Sequence, residues 1–178
     1  MAAPAARLFF ALWPNDAVRA GLFRLAQTLH RDCGGRLIRG DNLHQTLVFL
    51  GKVAADRIPG LAALAVNRYI PPFELRLNDS GYWRHNRIVW VAPRAVPEPL
   101  RELVAALEGA LNAAGFDFDR RPYAPHITLV RNAREPRLLL APDLAWPVSE
   151  FALVESASNE GGSRYRIIAR WPLAPSDR

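Results

Sequence analysis

The same order of elements is written twice along this chain of 178 residues. The first copy opens on a strand-like segment at Arg7. It passes Pro14 and an amphipathic helical stretch, reaches Gly34-Gly35, and arrives at His44-Gln45-Thr46-Leu47. The second opens at Arg87, passes Pro93 and another helical stretch, reaches Gly115, and arrives at His126-Ile127-Thr128-Leu129. The distance from Arg7 to His44 is 37 positions and that from Arg87 to His126 is 39. A Phe-led strand follows each motif, at Phe73 and Phe151, and the closing segment 166–172 echoes the opening segment 7–14. Repetition at this length predicts two similar halves about a pseudo-two-fold axis, with equivalent strands brought together. Half the residues are hydrophobic, enough for one interior. Residues 1–178 are therefore predicted to form a single domain of two pseudo-symmetric lobes.

Each repeated motif sits in an apolar, strand-like run, where residues two apart share a face. His44 and Thr46 then point one way, and His126 and Thr128 do the same in their strand. A lone His-x-Thr carries little weight. Here the chain contains only three threonines, Thr28, Thr46 and Thr128, and two of them lie two residues after a histidine. If the duplication brings the two strands together, both faces line one cleft.

Two imidazoles across a cleft can divide acid and base work, because histidine changes charge near neutrality. That arrangement suits in-line displacement at phosphorus, one imidazole activating the incoming oxygen and the other protonating the leaving one. The threonine hydroxyls can donate to the non-bridging oxygens, where charge grows. Arg131 could add a fixed positive charge. Strict alternation puts it on the face opposite Thr128, so reaching the cleft requires a strand end or a bulge. Its counterpart in the first half is Phe49. No acidic residue flanks either motif within its strand and no His-x-x-x-His occurs, so no metal is expected. No Gly-x-Ser-x-Gly elbow is present either.

The remaining chain fits this picture. The net charge is +6 and the sequence pI about 10.4, carried by arginine, with Lys52 the only lysine. Arginine forks suit phosphate. Cys33 is the only cysteine, so no intrachain disulfide forms. No run approaches the roughly 20 apolar residues of a membrane span, and no signal-peptide pattern opens the chain. A soluble cytoplasmic monomer without cofactors is expected. Asn15 is a good N-cap for a helix reaching about Arg31, with His30 structural in its last turn. Leu100, Leu103, Val104, Leu107 and Leu111 mark the clearest helix, over 97–114. Gly51 is read as the end of the first motif strand, 78–86 as a polar loop carrying Trp83 and His85, and 138–140 as a helical turn. Tyr123 and one of Phe9 or Phe10, with Phe10 chosen, are candidate base-stacking residues.

With these residues in view, the chain resembles the two-histidine (2H) phosphoesterase superfamily. Within it the likeness is to the RNA 2′,3′-cyclic phosphodiesterase family, also called 2′-5′ RNA ligase. Segments 7–12, 42–51 and 125–131 carry it. The resemblance implies an α+β fold of antiparallel sheets forming a central cleft with helices packed outside. It also implies metal-free opening of an RNA 2′,3′-cyclic phosphate to a 2′-phosphate, tRNA fragments being one source of such ends. By the same likeness His44 is the general acid, His126 the general base, and Arg131 the phosphate contact. Replacing water by a 5′-hydroxyl would give 2′-5′ ligation. Two rival readings remain at this point: a cyclic phosphodiesterase for a small nucleotide, and a non-catalytic RNA-binding module.

Overall fold

The computed structural model describes residues 5–65, 69–140, 142–159 and 162–174. Among them the elements run β1 (Ala5–Leu12), α1 (Asp16–Cys33), β2 (Arg36–Leu37), β3 (Gln45–Ala54), α2 (Ile58–Ala65), β4 (Phe73–Leu77), β5 (Asp79–Trp83), β6 (Ile88–Ala92), α3 (Glu98–Ala113), β7 (Ile127–Arg131), β8 (Leu144–Val148), β9 (Glu150–Asn159) and β10 (Gly162–Pro172). One eight-stranded antiparallel sheet runs in the order β10-β9-β1-β3-β7-β6-β5, with β2 also paired to β7. β4 and β8 pair with each other as a separate ribbon. The fold is α+β, as expected.

Local chemistry explains the two long helices. The Asn15 side chain accepts from the Val18 amide at 2.9 Å, capping α1. Val18, Leu22, Ala26 and Leu29 form its buried stripe, and the Gly34 amide closes it on the His30 carbonyl at 2.8 Å. In α3 the buried residues are the five leucine and valine positions that the spacing predicts.

The alternation of β1 divides the sheet into two faces. Leu8, Phe10 and Leu12 join the main core with the buried stripes of α1 and α3 and with Leu75, Leu77, Trp146 and Val148 of the ribbon. Phe9 and Ala11 point the other way, into a smaller cluster with Ala152 and Val154. This second face carries no helix of the main core cluster, and the site lies there.

Three expectations are corrected. The polar segment 78–86 is not a loop throughout: β5 occupies Asp79–Trp83 and pairs with β6. Gly81 makes this possible, because the Trp90 ring lies where a Cβ would be, only 2.1 Å away. Gly51 does not end β3. At φ +73° it follows a bulge in which Leu50 has no partner between the pairs Leu8–Gly51 and Phe9–Phe49. No helical turn forms at 138–140.

Candidate active site

The two motif strands meet at a single backbone pair, Gln45 of β3 with Ile127 of β7. Both residues are fully buried on the core side. Their neighbours in each strand direction therefore point to the opposite face. Those neighbours are His44 and Thr46 on one side and His126 and Thr128 on the other. All four line one cavity of about 190 Å³, together with Arg7, Phe9, Asn42, Phe49, Arg131 and Tyr165 among others. A wider cavity of about 520 Å³ opens from it, shares Thr46, His126, Thr128, Arg7 and Arg131, and extends along Trp83, His85 and Tyr123.

Both imidazoles are held in the same way. His44 Nδ1–H donates to the Asn42 carbonyl at 2.7 Å, and His126 Nδ1–H donates to the Ala124 carbonyl at 2.8 Å. A carbonyl can only accept, so the proton sits on Nδ1 in both rings. Each Nε2 is left for chemistry, as an acceptor when the ring is neutral and a donor when it is charged. The rings differ in their surroundings. His44 stacks on Trp13 (5.1 Å, 5° between planes) and meets Phe9 and Tyr165 at 5.0 Å each. His126 meets the Trp83 ring edge-on at 4.6 Å. Burial, the main cause, pushes the His44 pKa down to about 4, with Arg131 and His126 repelling its charge further. Burial and Arg131 also lower that of His126.

Arg131 reaches the cleft by a bulge. Val89 pairs with Val130 and Trp90 with Thr128, so Leu129 is left without a partner on β6 and the alternation shifts by one. The first motif does the same: Phe10 pairs with Val48 and Ala11 with Thr46, leaving out Leu47. The leucine of each His-x-Thr-Leu is thus a bulge residue, and Phe49 enters the cleft where the second half has Arg131.

The aromatic candidates are placed differently from expectation. Phe10 is 1% exposed and packs on Phe151 and Trp171 in the core, so it offers no face to a base. Phe9 is on the cleft face, since β1 alternates, but its ring is buried against His44 and Tyr165 as a wall. Tyr123 lines the wider cavity with its hydroxyl turned inward, accepting from Gln45 Nε2 at 3.2 Å and donating to the Thr46 carbonyl at 3.4 Å. Burial raises its pKa, so the phenol stays a donor. His30 sits outside both cavities and contacts the Gly35 carbonyl through Nε2. Arg7, Asn42 and Tyr165 line the cleft and Trp13 packs on the His44 ring, placements that the His-x-Thr pattern alone does not reveal. Asn42 has a double role, since its Nδ2 also donates to the Ser163 carbonyl of β10 at 2.8 Å.

Tyr123 therefore ties the approach to the second motif onto the first. Gln45 Oε1 already lacks a hydrogen-bond partner among the described residues. Tyr123→Phe would strand Gln45 Nε2 as well. A loss of about 1–3 kcal/mol in stability is expected, read as a lower denaturant midpoint at unchanged slope. An unchanged midpoint would show that the hydroxyl does not hold the seam.

No three His, Cys, Asp or Glu side chains converge as a metal site among the described residues. The cleft pairs two imidazoles, two hydroxyls and an arginine, a set matched to an anionic phosphorus centre. A sequence profile of the 2′-5′ RNA ligase superfamily matches residues 14–160. The chain belongs to the 2′-5′ RNA ligase superfamily. Members similar to it include the RNA 2′,3′-cyclic phosphodiesterase of Escherichia coli K12, 37% identical over 94% of this chain and 96% of that one. Another is the Thermus thermophilus protein of the same name, 33% identical over 94% and 90%. The crystal structure of E. coli LigT complexed with 3′-AMP superposes with a TM-score of 0.88 at 35% identity, covering 96% of this chain and 99% of LigT. The superfamily match spans both His-x-Thr motifs.

Proposed function

We propose that the chain opens RNA 2′,3′-cyclic phosphate ends to 2′-phosphomonoesters without a metal, within one domain of two pseudo-symmetric halves. The observation that carries the chemistry is the pair of imidazoles fixed through Nδ1, with neither Nε2 hydrogen-bonded among the described residues. Water attacks phosphorus as His126 Nε2 takes its proton. The bond from phosphorus to the 3′ oxygen breaks, and His44 Nε2–H protonates that oxygen. Thr46 and Thr128 donate to the non-bridging oxygens, and Arg131 balances the growing charge. A 5′-hydroxyl in place of water gives the 2′-5′ joined strand by the same proton transfers.

The pKa directions bear on this. An empty cleft keeps His44 neutral, whereas an acid must start charged. The anionic cyclic phosphate supplies the missing opposite charge, and the Trp13 face stacked on the ring favours the imidazolium. Substrate binding is thus coupled to proton uptake at His44. The duplication reading is supported by the inner strand order: exchanging β1 with β6, β3 with β7 and β5 with β9 reverses β9-β1-β3-β7-β6-β5 onto itself, with β10 outside the exchange. The same exchange maps the β4–β8 pair onto itself, so the Phe73 strand answers to β8 and not to the Phe151 strand.

Phosphorus NMR of a short RNA ending in a 2′,3′-cyclic phosphate, incubated with the protein and a chelator, tests the reaction. A 2′-phosphate product is expected. A 3′-phosphate would reverse the acid and base roles. An unchanged cyclic end, with binding retained, would favour a non-catalytic RNA-binding module, and turnover of the mononucleotide alone would favour a small-nucleotide enzyme.

A further inference from the structure

The cleft face of the sheet is ordered in rows. Nearest the seam are the two His-x-Thr pairs. The next cross-strand row outward holds Val154, Phe9 and Phe49 on β9, β1 and β3. Beyond it lies the row Tyr165, Ser156, Arg7 and Lys52, on β10, β9, β1 and β3. Partners in an antiparallel register share a face, and Tyr165, Ser156 and Arg7 all line the smaller cavity. Lys52 therefore belongs to the same face at its edge.

This outer row is cationic and available. Arg7 and Lys52 are exposed, and neither forms an ion pair among the described residues, whereas nine other arginines do. Arg7 is held in place, its guanidinium 4.9 Å from the centre of the Phe49 ring. On β1 the Arg7 row lies four residues from the Ala11–Thr46 row, roughly 14 Å along the strand. The Arg7 guanidinium, however, leans over Phe49 in the row between and lines the same cavity as His44 and His126, which brings it within about one sugar–phosphate link of the seam. The reacting phosphate does not need this row, because Arg131 and the threonines already surround the seam.

We propose that Arg7 and Lys52, with the Ser156 hydroxyl, form a second anion subsite that takes the 5′-phosphate of the nucleotide whose cyclic end lies between His44 and His126. The inference rests on the proposed cyclic-phosphate chemistry and deepens it. The ligand chemistry is a phosphate oxygen anion one nucleotide link from the reacting phosphorus, as a terminal monoester or as the internal diester of a longer strand. Arg7 offers a planar fork and Lys52 a mobile point charge, which fits either source.

The test compares kcat/KM for adenosine 2′,3′-cyclic phosphate, the same nucleotide with a 5′-phosphate, and the dinucleotide ApA ending in a 2′,3′-cyclic phosphate. The wild-type protein is expected to favour the 5′-phosphorylated nucleotide on the order of tenfold, the scale of one or two charge-assisted contacts. A similar gain with the dinucleotide would assign the subsite to RNA strands, and a gain with the monoester only would assign it to 5′-phosphorylated ends. Lys52→Gln is expected to shrink the preference and leave the unphosphorylated nucleotide unchanged. Lys52→Gln combined with Arg7→Gln is expected to remove the preference. Raising the salt should also reduce it in the wild type. Equal turnover of all three substrates, or a preference that survives the double substitution, overturns the subsite while leaving the cyclic-phosphate reading intact. Turnover of none of the three removes both.

Discussion

Turnover of an RNA 2′,3′-cyclic phosphate end is expected to fall about 10²–10⁴-fold in His126→Ala and again in His44→Ala, the usual worth of a positioned acid or base. The two losses are not expected to multiply. The proton transfers belong to one displacement, so once either is gone the other has little left to assist. The variants should differ in pH dependence. A base must start neutral and an acid must start charged, so kcat/KM in the wild type rises with pH through one imidazole and falls through the other. These limbs belong to the coupled pair rather than to either ring. His126→Ala should flatten the rising limb and His44→Ala the falling one. His44 is packed between Trp13, Phe9 and Tyr165, so its truncation leaves a gap in an aromatic cluster. His44→Gln, which refills part of that gap, separates lost chemistry from lost packing. Activity within a few-fold of wild type in either variant, with the fold intact by circular dichroism, would sink the two-imidazole mechanism. Exchange of the two limbs between variants would keep the mechanism and swap the roles.

Much of this site could be read from residue order because its central device is local. A His-x-Thr on a strand puts two side chains on one face whatever the rest of the chain does. The duplication then argues that the two strands meet, and the pair Gln45–Ile127 is where they do. The α1 cap at Asn15 and the α3 stripe were legible for the same reason, being set within a few residues. What was hidden depends on partners far away in sequence. A bulge is a property of register between strands, so nothing in Leu129 itself announces that Arg131 turns into the cleft. β5 reads as polar because its one sharp feature, Gly81, makes room for a ring on another strand. Choosing Phe10 over Phe9 required knowing which face of β1 meets the helices, and the apolar run 8–12 has no polar residue to mark it. Arg7 was visible as a strand start and gains its meaning only from Ser156 and Lys52 beside it.

Acidification should weaken the fold in a window that belongs to the site. The His44 imidazole lies at about 4, pushed down first by burial and then by Arg131 and His126. In the unfolded chain it returns to about 6.5. Above about 6.5 the ring is neutral in both states and the fold keeps its full stability. Between about 6.5 and 4 the unfolded chain takes the proton and the folded one resists it, so stability falls with pH by up to about 1.36 kcal/mol per unit. The accumulated loss by pH 4 is of the order of 3 kcal/mol. His126 is lowered too, by burial and Arg131, and adds to the loss with the same sign. The shifted carboxylates do not confuse this window. Asp41 and Asp119 are held below their usual value, 3.8, mainly by hydrogen bonds from Arg39 and Arg121, so their contributions are lost at lower pH. Denaturant midpoints at pH 7.5 and pH 4.5, for the wild type and His44→Gln, isolate the effect: the drop between the two pH values should be clearly smaller in the variant. Phosphate should narrow the wild-type drop as well, since an anion between the imidazoles favours their charged forms in the folded state alone. Parallel drops in wild type and variant would mean that the cleft leaves the His44 pKa near about 6.5. A smaller drop in the wild type than in the variant would mean that the pKa is raised and His44 is charged in the empty cleft at neutral pH. An acid already carrying its proton would then meet the substrate, and proton uptake on binding would play no part in the reaction.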